Sequence, residues 1–474
     1  MRLLLLVCVL FAPLMAIAQQ EGQKPNVLLI YIDDLGWRDV GYQGSKFYET
    51  PHVDALARAG LVFSDAYSNG PNCAPSRACL MTGMYTPRHG IYTVNSSERG
   101  KAAHRKLIPT PNSKVLRDEF VTLAEVLKSA GYRTGHFGKW HLSADPTTQG
   151  FDVNVGGNQT GSPRGGYFSP YRNPSLKNGP RGEYLTHRLT TEALSFMGTK
   201  SKAPFFCYLT HYAVHTPIQA PNDVVAKYNK KPTVDLQKNA RYAAMIEEMD
   251  NSVGKVVAHV RSLSRPTVII YMSDNGGHSG ATDMTPLRGA KGMLYEGGVR
   301  VPFIIDWPGL TAPGTKCSQP VMGIDLYPTL CEMSGVKIPS DRSIDGISLL
   351  PFLRQDSDQT PLAVRPVFWH FPAYLQGSRK TKSMFRTRPV GSIRKGDWKL
   401  LEFFEDHRIE LYNLSLDLSE KKNCTAENPK KTKELLDELH RWQESVKAPI
   451  PTEPNPEYVA GENRRTIPPV RRKD

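Results

Sequence analysis

Beyond its first twenty residues the chain has no apolar run near the ~18–20 residues that a membrane-crossing helix needs. A transmembrane segment is therefore not expected. It has no internal repeat, which sets aside solenoids and propellers. Cysteine is sparse, seven in 474 residues, and its spacing makes no tight disulfide framework; a chain this long can hold a core without one. Acidic residues are in deficit. Against 60 Lys and Arg stand 46 Asp and Glu, a net charge of +14. That balance suits an anionic substrate or surface and equally a solvated basic face. No nucleic acid is expected among the partners.

What is present begins with an address. Arg2 precedes an apolar run over 3–17 that closes on Ala16-Ile17-Ala18, the pattern of a signal peptide cleaved after Ala18. The expected product is exported, to the periplasm or outside the cell. Six cysteines then remain: Cys73, Cys79, Cys207, Cys317, Cys331 and Cys424. An oxidising compartment permits disulfides among them, with the connectivity open.

Three continuous apolar runs, over 27–32, 205–209 and 268–272, read as buried parallel strands, because strands covered on both faces lose their polar alternation. Helical stretches lie between them at 53–59, 122–130 and 241–260. Thr122 with Glu125 three residues on makes a capping-box pattern. Strands alternating with helices predict an α/β fold, a large and mostly parallel sheet sandwiched by helices. After about residue 355 the character changes: 391–401 and 408–414 read as antiparallel strands, and 429–446 as an amphipathic helix with Leu435, Leu436, Leu439 and Trp442 on one face. The expected organisation is a signal peptide over 1–18, a catalytic domain over 25–355, a C-terminal sheet-plus-helix subdomain over 356–450, and a tail over 451–474 whose Pro and Arg content predicts an extended chain.

Asp33-Asp34 follows the first apolar run and Asp274-Asn275 the third. Ligand sites of open parallel sheets lie beyond the carboxyl ends of the strands, so the two pairs are expected to converge. Turn chemistry explains either pair alone; both together favour a metal, since three packed carboxylates repel unless a cation separates them. An all-oxygen set selects a hard ion, calcium or magnesium, over zinc.

Residues 73–77 read Cys-Ala-Pro-Ser-Arg, continue to Leu80-Met81-Thr82-Gly83, and are followed by Arg88-His89-Gly90. This run resembles the formylglycine-dependent type I sulfatases of the alkaline-phosphatase superfamily. The resemblance recurs in order: 25–36 around Asp33-Asp34, Gly138-Lys139-Trp140-His141-Leu142, Ala213-Val214-His215-Thr216-Pro217, Ser273-Asp274-Asn275-Gly276, 287–292 around Lys291, and 295–302. Ser143 departs from the glycine usual in the family. The segment 158–184, rich in Gly, Pro, Arg and Tyr, looks specific to a subfamily and is expected to shape the substrate pocket.

The resemblance implies the chemistry. Cys73 would be oxidised to formylglycine (3-oxoalanine) by a formylglycine-generating enzyme or an anaerobic maturase, and its hydrate would present two hydroxyls. One attacks sulfur; the second expels sulfate as the aldehyde reforms. Asp33, Asp34, Asp274 and Asn275, with the residue at 73, would hold calcium. Arg77 and Lys139 would fix the formylglycine hydroxyls, His141 would take the proton, and His215 and Lys291 would contact the sulfate and the leaving oxygen. His89, His136 and His211 read as structural, and His278 as a candidate lining residue. The expected substrate is a sulfated carbohydrate such as a galactose or N-acetylgalactosamine sulfate, with aromatic rings available to stack on sugars. The rivals are a phosphodiesterase or phosphonate hydrolase of the same superfamily, and an inactive homologue that binds sulfated glycans.

Overall fold

The computed structural model describes residues 23–233, 236–339, 342–355, 365–377 and 383–461; the expected signal peptide and the end of the tail lie outside them. The three apolar runs are strands Asn26–Ile32, Phe205–Thr210 and Thr267–Ser273, side by side at the centre of one eight-stranded sheet. The sheet runs, edge to edge, Val153–Val155, Arg133–Gly138, Phe205–Thr210, Asn26–Ile32, Thr267–Ser273, Phe303–Asp306, Leu61–Phe63 and Thr315–Cys317. All pairings are parallel except those of Phe303–Asp306, which runs against both neighbours.

The central strand shows why its sequence does not alternate. Leu28, Ile30 and Ile32 face a core shared with helices Pro51–Ala59, Leu185–Gly198 and Ala240–Arg261. Val27, Leu29 and Tyr31 face the opposite core, with helices Cys73–Thr82, Leu123–Ser129 and Leu326–Ser334. Both faces are covered, so both are apolar. The expected capping box is formed: the Thr122 amide donates to Glu125 Oε2 at 2.6 Å, and the Glu125 amide to Thr122 Oγ1 at 3.2 Å. No helix among the described residues is long and apolar enough to cross a membrane.

The C-terminal part departs from expectation in one place. The stretch 391–401 is two strands, Val390–Lys395 and Trp398–Phe403, because Gly396 at φ 56° turns the chain so that Lys395 pairs with Trp398. With Val367–Phe371 and Arg408–Asn413 they make a four-stranded antiparallel sheet. Helix Pro429–Ser445 buries Leu435 and Leu439 on it, with Leu436 and Trp442 partly buried beside them. The tail does not float free at its start: the Ile108 amide donates to Glu453 O and the Asn455 amide to Lys106 O. All six cysteines of the described residues are unpaired.

A buried charge cluster welds the small sheet to the large one. Lys399 is fully buried and bonds Glu296 at 2.8 Å and Glu420 at 3.1 Å; Glu296 also pairs with Arg300 at 3.1 Å. Burial and the neighbouring Glu296 push the Glu420 carboxyl up to about 7, with Lys399 opposing. Replacing Lys399 by methionine leaves two buried carboxylates without their shared cation. The expected loss is about 3–5 kcal/mol of unfolding free energy, read by denaturant titration; a loss below 1 kcal/mol would refute this account.

Candidate active site

The ends of two neighbouring strands build the acidic floor. Asp33 and Asp34 follow Asn26–Ile32, and Asp274 and Asn275 follow Thr267–Ser273, whose register pairs Ile32 with Ser273. Asp34 turns into the left-handed region at φ 63°. Its amide donates to Asp274 Oδ1 at 3.2 Å, and Asn275 Nδ2 donates to Asp34 Oδ1 at 2.8 Å. All four residues are fully buried. Three of their oxygens, Asp33 Oδ1, Asp34 Oδ2 and Asn275 Oδ1, find no hydrogen-bond donor. Orphaned buried acceptors are costly, and a hard cation satisfies them. Asp33, Asp34, Cys73 and His215 each bring a ligand atom within 4.8 Å of one another. The residues present therefore fit an oxygen-bound divalent ion.

Cations from three other elements surround this floor. Cys73 opens helix Cys73–Thr82, where Pro75 sits in the first turn and has no amide proton to leave unsatisfied. Arg77, four residues on, lies under the same face. Its Nε and Nη2 donate to Asp274 Oδ2 at 3.0 and 2.8 Å, and its Nη1 donates to Lys139 O at 2.9 Å and to Thr210. Its hydrogen bonds thus go to the floor and its supports rather than to the Cys73 side chain, which makes Arg77 a positioning residue. Lys139 follows Arg133–Gly138 and puts its ammonium 2.6 Å from Asp33 Oδ2. Lys291 Nζ lies 2.5 Å from Asp34 Oδ1 and 3.1 Å from Cys73 Sγ.

These charges set the protonation states. Burial raises the Asp34 carboxyl, but Lys291, His215 and Lys139 outweigh it and hold it well below the usual carboxylate range. Burial and the charge of Asp33 push Asp274 up to about 7, against Arg77. Crowded carboxylates without a metal thus hold a third negative charge poorly. Burial also pushes the Cys73 thiol up to about 11, despite Lys139 and Lys291.

The two histidines stand above the floor. His141 adopts φ 67°, and its buried Nδ1 has no partner. Burial and then Lys139 and Arg77 hold its pKa well below the ordinary value, so it is neutral and able to accept a proton. Gly161 lies against its ring; a Cβ there would come 2.4 Å from His141 Cε1. His215 Nε2 is 3.8 Å from Asp34 Oδ2, while its Nδ1 lies 2.7 Å from Thr216 O. Burial and Lys291 bring His215 down to about 3. Its loop is held by the Val214 amide on Asp33 O and by Tyr167, whose hydroxyl donates to Tyr212 O and His215 O.

Every expected site residue lies at this one place, and His278 lines the cleft above it. His89, His136 and His211 are buried elsewhere, against Cys79, Trp140 and Ser252. Ser143 accepts the indole proton of Trp140 at 2.8 Å, so the departure from glycine braces the loop before His141. The cleft over Cys73 measures about 590 Å³. Segment 158–184 supplies Gln159, Thr160, Gly161, Ser162 and Arg164 to its wall. Among the described residues the cleft wall carries no Phe, Tyr or Trp to stack on a sugar, only the imidazoles of His141, His215 and His278, and Tyr167, Tyr171 and Tyr184 are buried in the core. Sequence reasoning missed Arg99 and Arg386, which no local motif marks.

Comparison with known proteins decides the family. A model described as Sulfatase matches residues 25–336, and one described as N-sulphoglucosamine sulphohydrolase, C-terminal, matches 290–448. The chain belongs to the sulfatase family. It is similar to a sulfatase of Formosa agariphila, 34% identical over 97% of this chain and 95% of that protein. It is also 34% identical to the N-acetylgalactosamine-6-sulfatase of Homo sapiens, over 74% of this chain and 69% of that one. Among solved structures it resembles Ps i-CgsB in complex with k-i-k-neocarrahexaose, at TM-score 0.72 and 31% identity over 89% of this chain and 93% of that one. The phosphonate monoester hydrolase of Agrobacterium radiobacter shares the fold at TM-score 0.65 and 20% identity, over 89% and 96% of the two chains. This sulfatase is thus a sulfuric ester hydrolase of type I, in the alkaline-phosphatase superfamily.

The raised thiol gives a direct test. Only the thiolate is nucleophilic, and a pKa near 11 leaves Cys73 protonated at neutral pH. In metal-free protein, iodoacetamide at pH 7.5 should leave Cys73 unlabelled by peptide mass spectrometry, with labelling rising as pH climbs toward 11. Rapid labelling at pH 7.5 would show that the surrounding lysines outweigh burial.

Proposed function

We propose that this sulfatase removes sulfate from a carbohydrate of the galactose or N-acetylgalactosamine kind, using formylglycine made from Cys73 and a calcium ion. The observation that carries the reading is the set of three unsatisfied buried oxygens, on Asp33, Asp34 and Asn275, beside a Cys73 sulfur that Lys291 approaches at 3.1 Å. The carbohydrate substrate is supported by the names of the two relatives that specify one, N-acetylgalactosamine-6-sulfatase and the neocarrahexaose complex. An encoded thiol offers no second hydroxyl, so activity requires conversion by a formylglycine-generating enzyme or anaerobic maturase.

Asp33, Asp34, Asp274 and Asn275 would hold calcium, with the oxygen that replaces the Cys73 sulfur. When bound, that ion draws charge from a coordinated oxygen and lowers its pKa. The chain's own groups do the rest. One hydroxyl of the hydrated residue 73 would give up its proton and form a bond to sulfur while the ester's S–O bond breaks; the leaving oxygen would take a proton from Lys291 and depart as the alcohol, and the proton released by the attacking hydroxyl would restore Lys291. Lys139 and Lys291 neutralise charge on the sulfonate oxygens, and His215 orients the ester from the opposite wall. Arg77 keeps Asp274 and the Lys139 loop in place. Neutral His141 accepts the proton of the second hydroxyl as the aldehyde reforms and sulfate departs.

A second reading, a phosphodiesterase or phosphonate hydrolase, is favoured only by the fold shared with the Agrobacterium enzyme. Matured protein should turn over 4-nitrophenyl sulfate far faster than an aryl phosphodiester, and Cys73→Ala should abolish sulfate release; the reverse preference would replace the sulfate reading. Calcium at a hundredfold its Kd should add about 2.7 kcal/mol to unfolding free energy, seen as a rise in Tm that EDTA reverses. An unmoved Tm would remove calcium from the site.

A further inference from the structure

The wall of the cleft carries more positive charge than one sulfate ester needs. Its lining includes Arg99, Arg164 and Arg386 and, among the described residues, no Asp or Glu. Arg164 is exposed and bonded to Thr160 Oγ1 at 3.0 Å. Arg99 and Arg386 are different. Both are half-buried, and they stand on segments that touch: a Cβ on Gly100 would meet the Phe385 ring at 2.9 Å. Arg386 donates from Nη1 to Lys291 O at 3.0 Å, while its buried Nε has no acceptor. Arg99 makes no hydrogen bond or ion pair among the described residues. Burial depresses both guanidinium pKa values, that of Arg386 further through the charge of Arg99.

Two guanidiniums lining one cleft with no hydrogen-bonded carboxylate among the described residues, Arg386 feeling only the charge of Asp34, cost free energy until an anion arrives, and their planar forks match sulfate and carboxylate oxygens. With no Phe, Tyr or Trp among the described residues of the wall, sugar recognition falls mainly to charge and hydrogen bonding. We propose that Arg99 and Arg386 form a second anion subsite, which receives a further sulfate or a carboxylate on the same carbohydrate while the scissile sulfate lies at Cys73. This rests on the carbohydrate sulfatase reading and narrows it: preferred substrates carry at least two anionic groups.

Titration calorimetry of the full chain with Cys73 unconverted, which cannot turn the probes over, tests this directly. Three probes in calcium buffer separate the sources of the second anion: N-acetylgalactosamine 6-sulfate, N-acetylgalactosamine 4,6-disulfate, and the unsaturated disaccharide of chondroitin 6-sulfate, which adds a carboxylate. At least one two-anion probe should bind about tenfold more tightly than the monosulfate. Arg99→Gln and Arg386→Gln should each remove most of that preference, and Arg99→Lys should keep part of it. Equal affinity for all three probes, no binding of either two-anion probe, or an equal loss for every probe in both variants would overturn the subsite. Failure of the parent reading looks different: matured enzyme would release no sulfate from any of these sugars, whatever their affinities.

Discussion

Three carboxylates buried at the ends of two adjacent strands are the constraint from which the rest of this molecule follows. Asp33, Asp34 and Asp274 cannot all stay ionised in a dry interior by themselves, and the rise of Asp274 to about 7 shows the strain at the third. The protein answers with Arg77, Lys139 and Lys291, each paired with one of them at 2.5–2.8 Å. Formal charge on the six side chains then cancels. A dication placed among the orphaned oxygens would tip the balance to a net positive field, and that is the condition for drawing an anionic ester down to a nucleophile that would otherwise repel it.

The cations come from far apart in the chain, and the sheet is what makes them neighbours. Lys139 leaves the strand beside Phe205–Thr210, whose own end positions Thr210 under Arg77. Arg77 arrives on a helix whose Tyr31 contact fixes its height: Ser76 bonds Tyr31 at 3.0 Å, and the guanidinium lies 5.3 Å from that ring. Gly138 lets the Lys139 strand close on its neighbour, since a Cβ there would sit 2.0 Å from Thr210 O. Parallel strands end at one edge, so each contributes its next residue to the same place. Sheet and site are one piece of geometry.

That is also why so much was legible in the sequence. The strands announce themselves because both faces are buried, and the chemistry follows each strand within one or two residues, as at Asp33, Lys139 and Asp274. Cys73 and Arg77 share one helical turn. Where legibility fails, the information is either a single backbone state or a long-range packing event. Gly396 splits the stretch 391–401 into a hairpin through one left-handed residue. The tyrosines of 158–184 carry no periodicity that separates a core ring from one facing a sugar; the fold uses Tyr167 to brace the His215 loop instead. Arg99 and Arg386 lie 287 positions apart and become neighbours only through the packing of Gly100 against Phe385.

This division has a physical cause. Bond breaking demands groups within hydrogen-bond reach of one atom, and rigid strand ends supply that reach with short local motifs. Selecting a substrate demands contacts spread over the wall of a cleft of about 590 Å³, which loops and the short ladder of Leu375–Gln376 and Phe385–Thr387 assemble from distant segments. The Lys399 cluster matters here beyond stability. It fixes the four-stranded sheet against Glu296, and Glu296 through Arg300 to the catalytic part, while Arg386, on the separate two-stranded ladder of Leu375–Gln376 and Phe385–Thr387, bonds Lys291 O directly at 3.0 Å. On the proposed reading, an anion-binding arginine carried by a loosely docked segment would lose much of its binding free energy to ordering. The buried ion cluster therefore joins the part of the molecule that reacts to the part that chooses.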